Sequence, residues 1–392
     1  MKQMNNKLTT LVLAVSVIGS VLLCSCDAAT AVQTTTEPTE ETTTTTTTTT
    51  TEATTTAPRW ETEVPEENPK DTTPYEKITL DGDKTSTFVS TDFCYIESEK
   101  YVLLLDRDIK LPGDFVTNVD AIISEIEGEL GVSACPSDFS YNTIPDCSIY
   151  YDKKDEDGNI INPWEDWDIG AKIPIFLVTD REDKARISCA SYDFTIICDY
   201  ALFSDDLWNS IPSYKNNGWR RSKYVDYSSI AHELTHTITL RHCDQTNILC
   251  EGIAQYMGKK IVDKLAKDYP SINECLKGYN WDESNIPQKV NAKNAEKIFI
   301  DDYHSLSHAD RGAEYYFGHH FWQYLFENYG DDAFVKYNNK MHMEKIKYNQ
   351  SNYDENTVKE IAGIFKELYG DDIFSKFGDW CVKKNYLQNK NY

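Results

Sequence analysis

The stretch from Ser228 to Met257, "SSIAHELTHTITLRHCDQTNILCEGIAQYM", constrains the architecture more than any other part of the chain. His232 and His236 stand four residues apart. At about 100° per residue, that spacing sets both imidazoles one turn apart on one face of a helix. Ile230, Leu234 and Ile238 form a separate stripe roughly 200° round, which packs the same helix on a core. Two imidazoles so placed can reach one zinc ion at about 2.0–2.1 Å each. Glu233 beside them is the expected general base for a metal-activated water. The bland alternative is a solvated helix face that carries two histidines. A metal site needs a third protein ligand, so the fold must return another element to this face.

Two residues compete for that place. His242 follows His236 by six positions, the third-ligand spacing of metzincins, HExxHxxGxxH. The glycine of that pattern supports a sharp turn out of the helix, whereas this chain has the β-branched Thr239 there. Glu251 follows His236 by fifteen positions. Ile253, Met257, Ile261 and Leu265 step by four, so Glu251 is read as opening a second amphipathic helix that ends before Pro270. Two helices joined by a short loop can bring Glu251 back to the histidines. The alternative is a solvated carboxylate in a first helical turn, where the helix dipole favours it anyway.

A second signal lies downstream, in "YYFGHHFWQYLFENYG" from Tyr315 to Gly330. "LCEGIAQYM" closely resembles the "LNEGLAEY"-type segment of peptidase-MA-like gluzincins, which include relatives of the M1 aminopeptidases. The downstream stretch is similar to the Y-x-x-G helix of M1-like peptidases. The resemblance runs over roughly Ala171 to Tyr392. It implies an α+β, zincin-like catalytic domain with an N-terminal mixed β-sheet and a mostly helical C-terminal lobe. It implies one Zn2+ per chain on His232, His236 and Glu251. Tyr315 would donate a hydrogen bond to the oxyanion, with Gly318 completing the motif; Tyr316, His319 and His320 are weaker candidates. Neutral phenol aimed at developing negative charge fits that chemistry. Within Cys189 to Tyr192, Ala190 and Ser191 would sit on an edge strand that binds extended protein or peptide substrate through its main chain. The G-A-M-E-N-like loop of M1 exopeptidases is missing, which argues against an aminopeptidase and leaves an endopeptidase or an unknown specificity. Gln255 stands where a carboxylate often supports a ligand histidine, leaving the histidines' outer partners unassigned. The other reading kept open is a surface binding module that retains the fold without turnover.

The remaining sequence sets the context. Met1 to Lys7 and the apolar run Leu8 to Leu23 read as an export signal. The run ends in Leu23-Cys24-Ser25-Cys26, which resembles a bacterial lipoprotein signal with Cys26 as the lipidated residue. Residues 1–26 are thus expected to be the leader and 27–74 a Thr-rich spacer unable to bury apolar area. Residues 75–392 are expected to fold, with a sheet lobe over 75–227 and a helical lobe over 228–392. The chain is expected outside the cell, at the surface of a bacterium or released from it, touching the membrane only through its lipid. A net charge of −25 argues against a nucleic-acid partner, since phosphate neutralisation needs clustered Lys and Arg. Nine cysteines lie beyond the leader, and Cys135/Cys147, Cys189/Cys198 and Cys243/Cys250 are close enough in sequence to pair. No internal repeat is apparent.

Overall fold

The computed structural model describes residues 78–79, 92–106, 109–137, 139, 169–179, 188–211, 221–276, 290–301, 312–350 and 353–384. The expected leader, the spacer and Cys26 lie outside them. Strands come first and helices afterwards: β1 (Ile78–Thr79), β2 (Asp92–Glu97), β3 (Tyr101–Asp106), α1 (Phe115–Leu130), β4 (Ile173–Leu177), β5 (Cys189–Ala190), β6 (Thr195–Ile197) and α2 (Asp205–Ser210). Then follow α3 (Tyr227–Leu240), α4 (Asn247–Leu265), α5 (Pro270–Leu276), α6 (Ala295–Asp301), α7 (Gly312–Tyr329), α8 (Ala333–Glu344), α9 (Glu355–Tyr369) and α10 (Ile373–Lys383). A mixed sheet with many helices is α+β architecture, as expected. Among the described residues no helix is long and apolar enough to cross a membrane.

The sheet has the order β1-β2-β3-β4-β6-β5. Strands β3, β4 and β6 run parallel, with Leu103 opposite Ile175 and Ile175 opposite Thr195. β5 closes that side antiparallel to β6, Cys189 facing Ile196 and Ala190 facing Thr195. β4, "IPIFL", is buried at every position, which is why its run is continuously apolar rather than alternating. Helix α1 presents Phe115, Val119, Ile122, Ile123, Ile126 and Leu130 to the core, the residues that its period picks out. It packs on α3 and α4, and α3 packs on β5 and β6. One contiguous apolar cluster includes Leu103 and Ile175 from the sheet, Leu234 and Met257 from α3 and α4, and Phe365 from α9. The two expected lobes share that core.

The C-terminal helices carry a short internal repeat, contrary to the expectation of none. Residues 329–337 read YGDDAFVKY and residues 369–377 read YGDDIFSKF, forty positions later. Each Tyr ends one helix and each Asp-Asp starts the next. Gly330 and Gly370 take φ of 105° and 103°, a region closed to most side chains. Lys336 pairs with Asp332 at 2.7 Å, and Lys376 with Asp372 at 2.9 Å. The rings of Tyr329 and Tyr369 meet at 4.6 Å. α7–α8 and α9–α10 are thus two helical hairpins with one turn design, packed turn against turn.

Candidate metal centre

Helix α3 is started by Asp226, whose Oδ1 accepts from the backbone N–H groups of Ser228 and Ser229 at 3.1 Å each. It runs past Thr239 to Leu240, so the chain does not turn where a metzincin would. The helix is tied to β6 by the Thr237 hydroxyl, which donates to Phe194 O at 3.0 Å and meets Thr195 Oγ1 at 2.7 Å. At its C-terminal end the Arg241 guanidinium donates to Tyr192 O (2.9 Å), Ala134 O (2.9 Å), Ala171 O (2.6 Å) and Lys172 O (3.3 Å). Burial pulls Arg241 down to about 10. One side chain therefore fixes the end of the motif helix to three loops.

Helix α4 begins at Asn247, capped by Thr246, one turn earlier than the apolar period indicates. Glu251 is therefore inside the helix and only 6 % exposed, not a solvated first-turn residue. Its carboxylate returns to the histidines. His232 Nε2 and His236 Nε2 are 3.0 Å apart, and Glu251 Oε2 lies 3.5 Å from the first and 3.3 Å from the second. A tetrahedral zinc ion, with bonds of about 2.05 Å, sets its ligand atoms about 3.3 Å apart. The triangle has that size. Two imidazoles and one carboxylate also form the donor set of catalytic zinc sites. His232, His236 and Glu251 could thus hold one metal ion.

The electrostatics agree. Burial alone would raise the Glu251 carboxyl, yet the His236 and His232 imidazoles hold it well below the usual carboxylate range. Burial alone would lower His236, and the Cys250 thiol and Glu251 carboxylate carry it well above its ordinary value instead. Each shift is caused in large part by the other partner, so the buried Glu251 carboxylate and the His236 imidazole attract one another across the triangle.

Glu233 is 1 % exposed, next to His232 in the chain. Tyr315 enters from α7, its ring centroid 6.1 Å from that of His232. Tyr316, one residue on, packs against the apolar core instead. What brings α7 so near is a glycine crossing. A Cβ on Gly318 would lie 2.0 Å from Ile248 O, and one on Gly252 2.2 Å from the carbonyl carbon of Gly318. The Y-x-x-G glycine thus lets α7 rest on α4 backbone to backbone, and Trp322 Nε1 donates to Leu249 O at 2.9 Å beside it.

His319 and His320 are core residues: the first stands edge-on to Tyr256 at 5.5 Å, the second faces Gln323 Oε1 at 3.2 Å. His242 turns away from the triad, its Nε2 meeting Ser133 O at 2.7 Å. Ala190 lies on the edge strand β5 as expected. Ser191 N–H is spent within the turn, on Phe194 O at 2.9 Å. Since Ser191 and Phe194 form a hydrogen-bonded pair, the neighbouring Ala190 directs its N–H and C=O away from β6. Cys189, Cys198, Cys243 and Cys250 are all free thiols, so two of the expected pairs are not bonded; the third includes Cys147, outside the described residues. Gly252 stood in the matched EGxAxY segment without a role, and two contributors, Arg241 and Cys250, carried no site expectation. Cys250 Sγ lies 3.1 Å from His236 Nδ1, and no period or motif singles it out.

No protein-family model matches the chain, and no curated protein or solved structure matches it either.

Proposed function

We propose that this chain is an exported, zinc-dependent peptidase of the gluzincin type, with a zincin-like catalytic domain distantly similar to M1-type enzymes. The observation that carries the reading is the buried triangle of His232, His236 and Glu251, sized for a tetrahedral ion, with Glu233 adjoining it. The net charge of −25 argues against a nucleic-acid partner, and the expected leader and spacer suggest a substrate outside the cell.

Zinc, when bound, supplies a Lewis acid and lowers the pKa of water. The chain does the rest. Glu233 takes a proton from the attacking water and returns it to the leaving amine. The Tyr315 hydroxyl donates to the carbonyl oxygen as it gains negative charge. Ala190 pairs its main chain with an extended peptide, which becomes a further strand beside β5. Helices α3 and α4 exclude bulk water from the ligand side, since all three ligands are buried.

Metal analysis of the purified chain beside its His232→Ala form, together with peptide-library profiling against Glu233→Gln, tests this. The expected result is stoichiometric zinc lost on His232→Ala, and cleavage lost on Glu233→Gln with zinc retained. A zinc-free wild type would overturn the reading. A zinc-loaded wild type that cleaves no peptide would replace it with the surface binding module.

A further inference from the structure

We infer that Cys250 is the positioning residue of the metal centre, its sulfur accepting the Nδ1 proton of His236 and so fixing which nitrogen faces the ion. The inference rests on the proposed zinc reading and deepens it.

His236 uses its two nitrogens differently. Nε2 points into the ligand triangle, 3.0 Å from His232 Nε2 and 3.3 Å from Glu251 Oε2. Nδ1 points the other way and meets Cys250 Sγ at 3.1 Å. A nitrogen that binds a cation carries no proton, so the proton of the neutral ring resides on Nδ1, and the sulfur is the atom that receives it. Both residues are 1 % exposed, so bulk water does not take over that role.

The outer partner of a ligand histidine is usually a carboxylate, a carbonyl or a water, and its loss weakens metal binding about 10- to 100-fold. Here the partner is a thiol, in the residue directly before the third ligand. Helix α4 thus contributes twice in succession, Cys250 orienting one histidine and Glu251 completing the sphere. This also gives Cys250 a use other than a disulfide with Cys243.

Zn2+ dissociation constants, measured by competition with a chromophoric chelator, compare wild type with Cys250→Ser, Cys250→Val and Cys250→Ala. Val fills the volume without an acceptor, whereas Ser keeps one. Val and Ala are expected to bind Zn2+ about 10- to 100-fold more weakly, and Ser to recover most of the loss. The visible spectrum of the Co2+-loaded Val form should shift, because the His236 ring is free to turn. Thermal melting of each metal-free form separates folding from binding. If the Val and Ala forms do not fold, the zinc-loaded wild type decides: the His236 Nδ1 proton should appear in the imidazole NMR spectrum and exchange slowly. A rapidly exchanging proton, or a Val form that binds Zn2+ as wild type does, overturns the assignment of Cys250 alone. A wild type that takes up no Zn2+ overturns the peptidase reading and this inference with it.

Discussion

The glycine crossing makes one substitution informative beyond its size. Gly318→Ala places a methyl group 2.0 Å from Ile248 O and 2.6 Å from Gly252 Cα. Ordinary carbon contacts lie at about 3.5–4.0 Å, so α7 and α4 must part by roughly 1–1.5 Å. Both obstacles are backbone, and no rotamer change relieves them. Overpacking costs about 1–3 kcal/mol when side chains can adjust, and the upper end applies here. Parting the helices also stretches the bond from Trp322 Nε1 to Leu249 O, which contributes about 1 kcal/mol. Against this, alanine in a helix interior gains about 0.5–1 kcal/mol over glycine. The net is a loss of about 3 kcal/mol. Gly363, inside α9, is the matched control: a Cβ there meets nothing within 4 Å, so Gly363→Ala should gain about 0.5–1 kcal/mol. Urea unfolding of the metal-free forms reads both signs. On the proposed peptidase reading, with the candidate zinc ligands on α3 and α4 and Tyr315 on α7, turnover should fall about 100-fold, far more than zinc affinity. A Gly318→Ala chain as stable as wild type would refute the reasoning, because the helices would then part without cost.

Glu251→Ala should abolish zinc retention, while His242→Ala, whose imidazole is engaged by Ser133 O, should leave it nearly intact; equilibrium dialysis shows which, and the reverse result overturns the ligand assignment. Arg241→Met keeps the stem but strips four loop carbonyls of their donor. With three of those bonds part-buried, the loss should be about 3 kcal/mol in urea unfolding, and a loss under about 1 kcal/mol would show that water replaces the clamp. Asp199 gives a pH dependence. Burial and the nearby Asp226 raise its carboxyl to about 6, although it accepts from the N–H groups of Asp226 and Ala201. A pKa raised on folding stabilises below the unfolded value, and that contribution disappears as pH rises through about 6. Wild-type stability should therefore fall by about 2 kcal/mol between pH 4 and 7 relative to Asp199→Asn, read as a difference in slope by urea titration at each pH. Parallel profiles would refute it.

How far the chain could be read depends on the range of the interactions involved. Elements written in a local period were legible: α1 runs from Phe115 to Leu130, as its apolar spacing indicates, and α3 carries the stripe expected of it. Glu251 was legible through its distance from His236, although α4 starts at Asn247 because Thr246 caps it, a signal that the four-step period of Ile253 to Leu265 does not contain. Tyr315 and Tyr316 are indistinguishable by composition. The Y-x-x-G spacing to Gly318 favours the first, and the approach of α7 to α4 sets its ring beside His232 while Tyr316 packs on the core. The YGDD repeat was written in the sequence but is confined to nine residues around a turn, while the helices that flank it share little.

The contacts that assemble the site are of the long-range kind. Gly252 and Gly318 are each an isolated glycine in a helix, a position that costs stability when considered alone. Together they allow the one crossing that carries a tyrosine to a histidine on a third helix. Cys250 is in the same position: a small apolar residue by pattern, and a hydrogen-bond acceptor only because α4 returns against α3. A site made by three helices is specified where their residues meet. The motif therefore supplies the candidate ligands, and the unassuming residues between motifs decide whether those side chains converge.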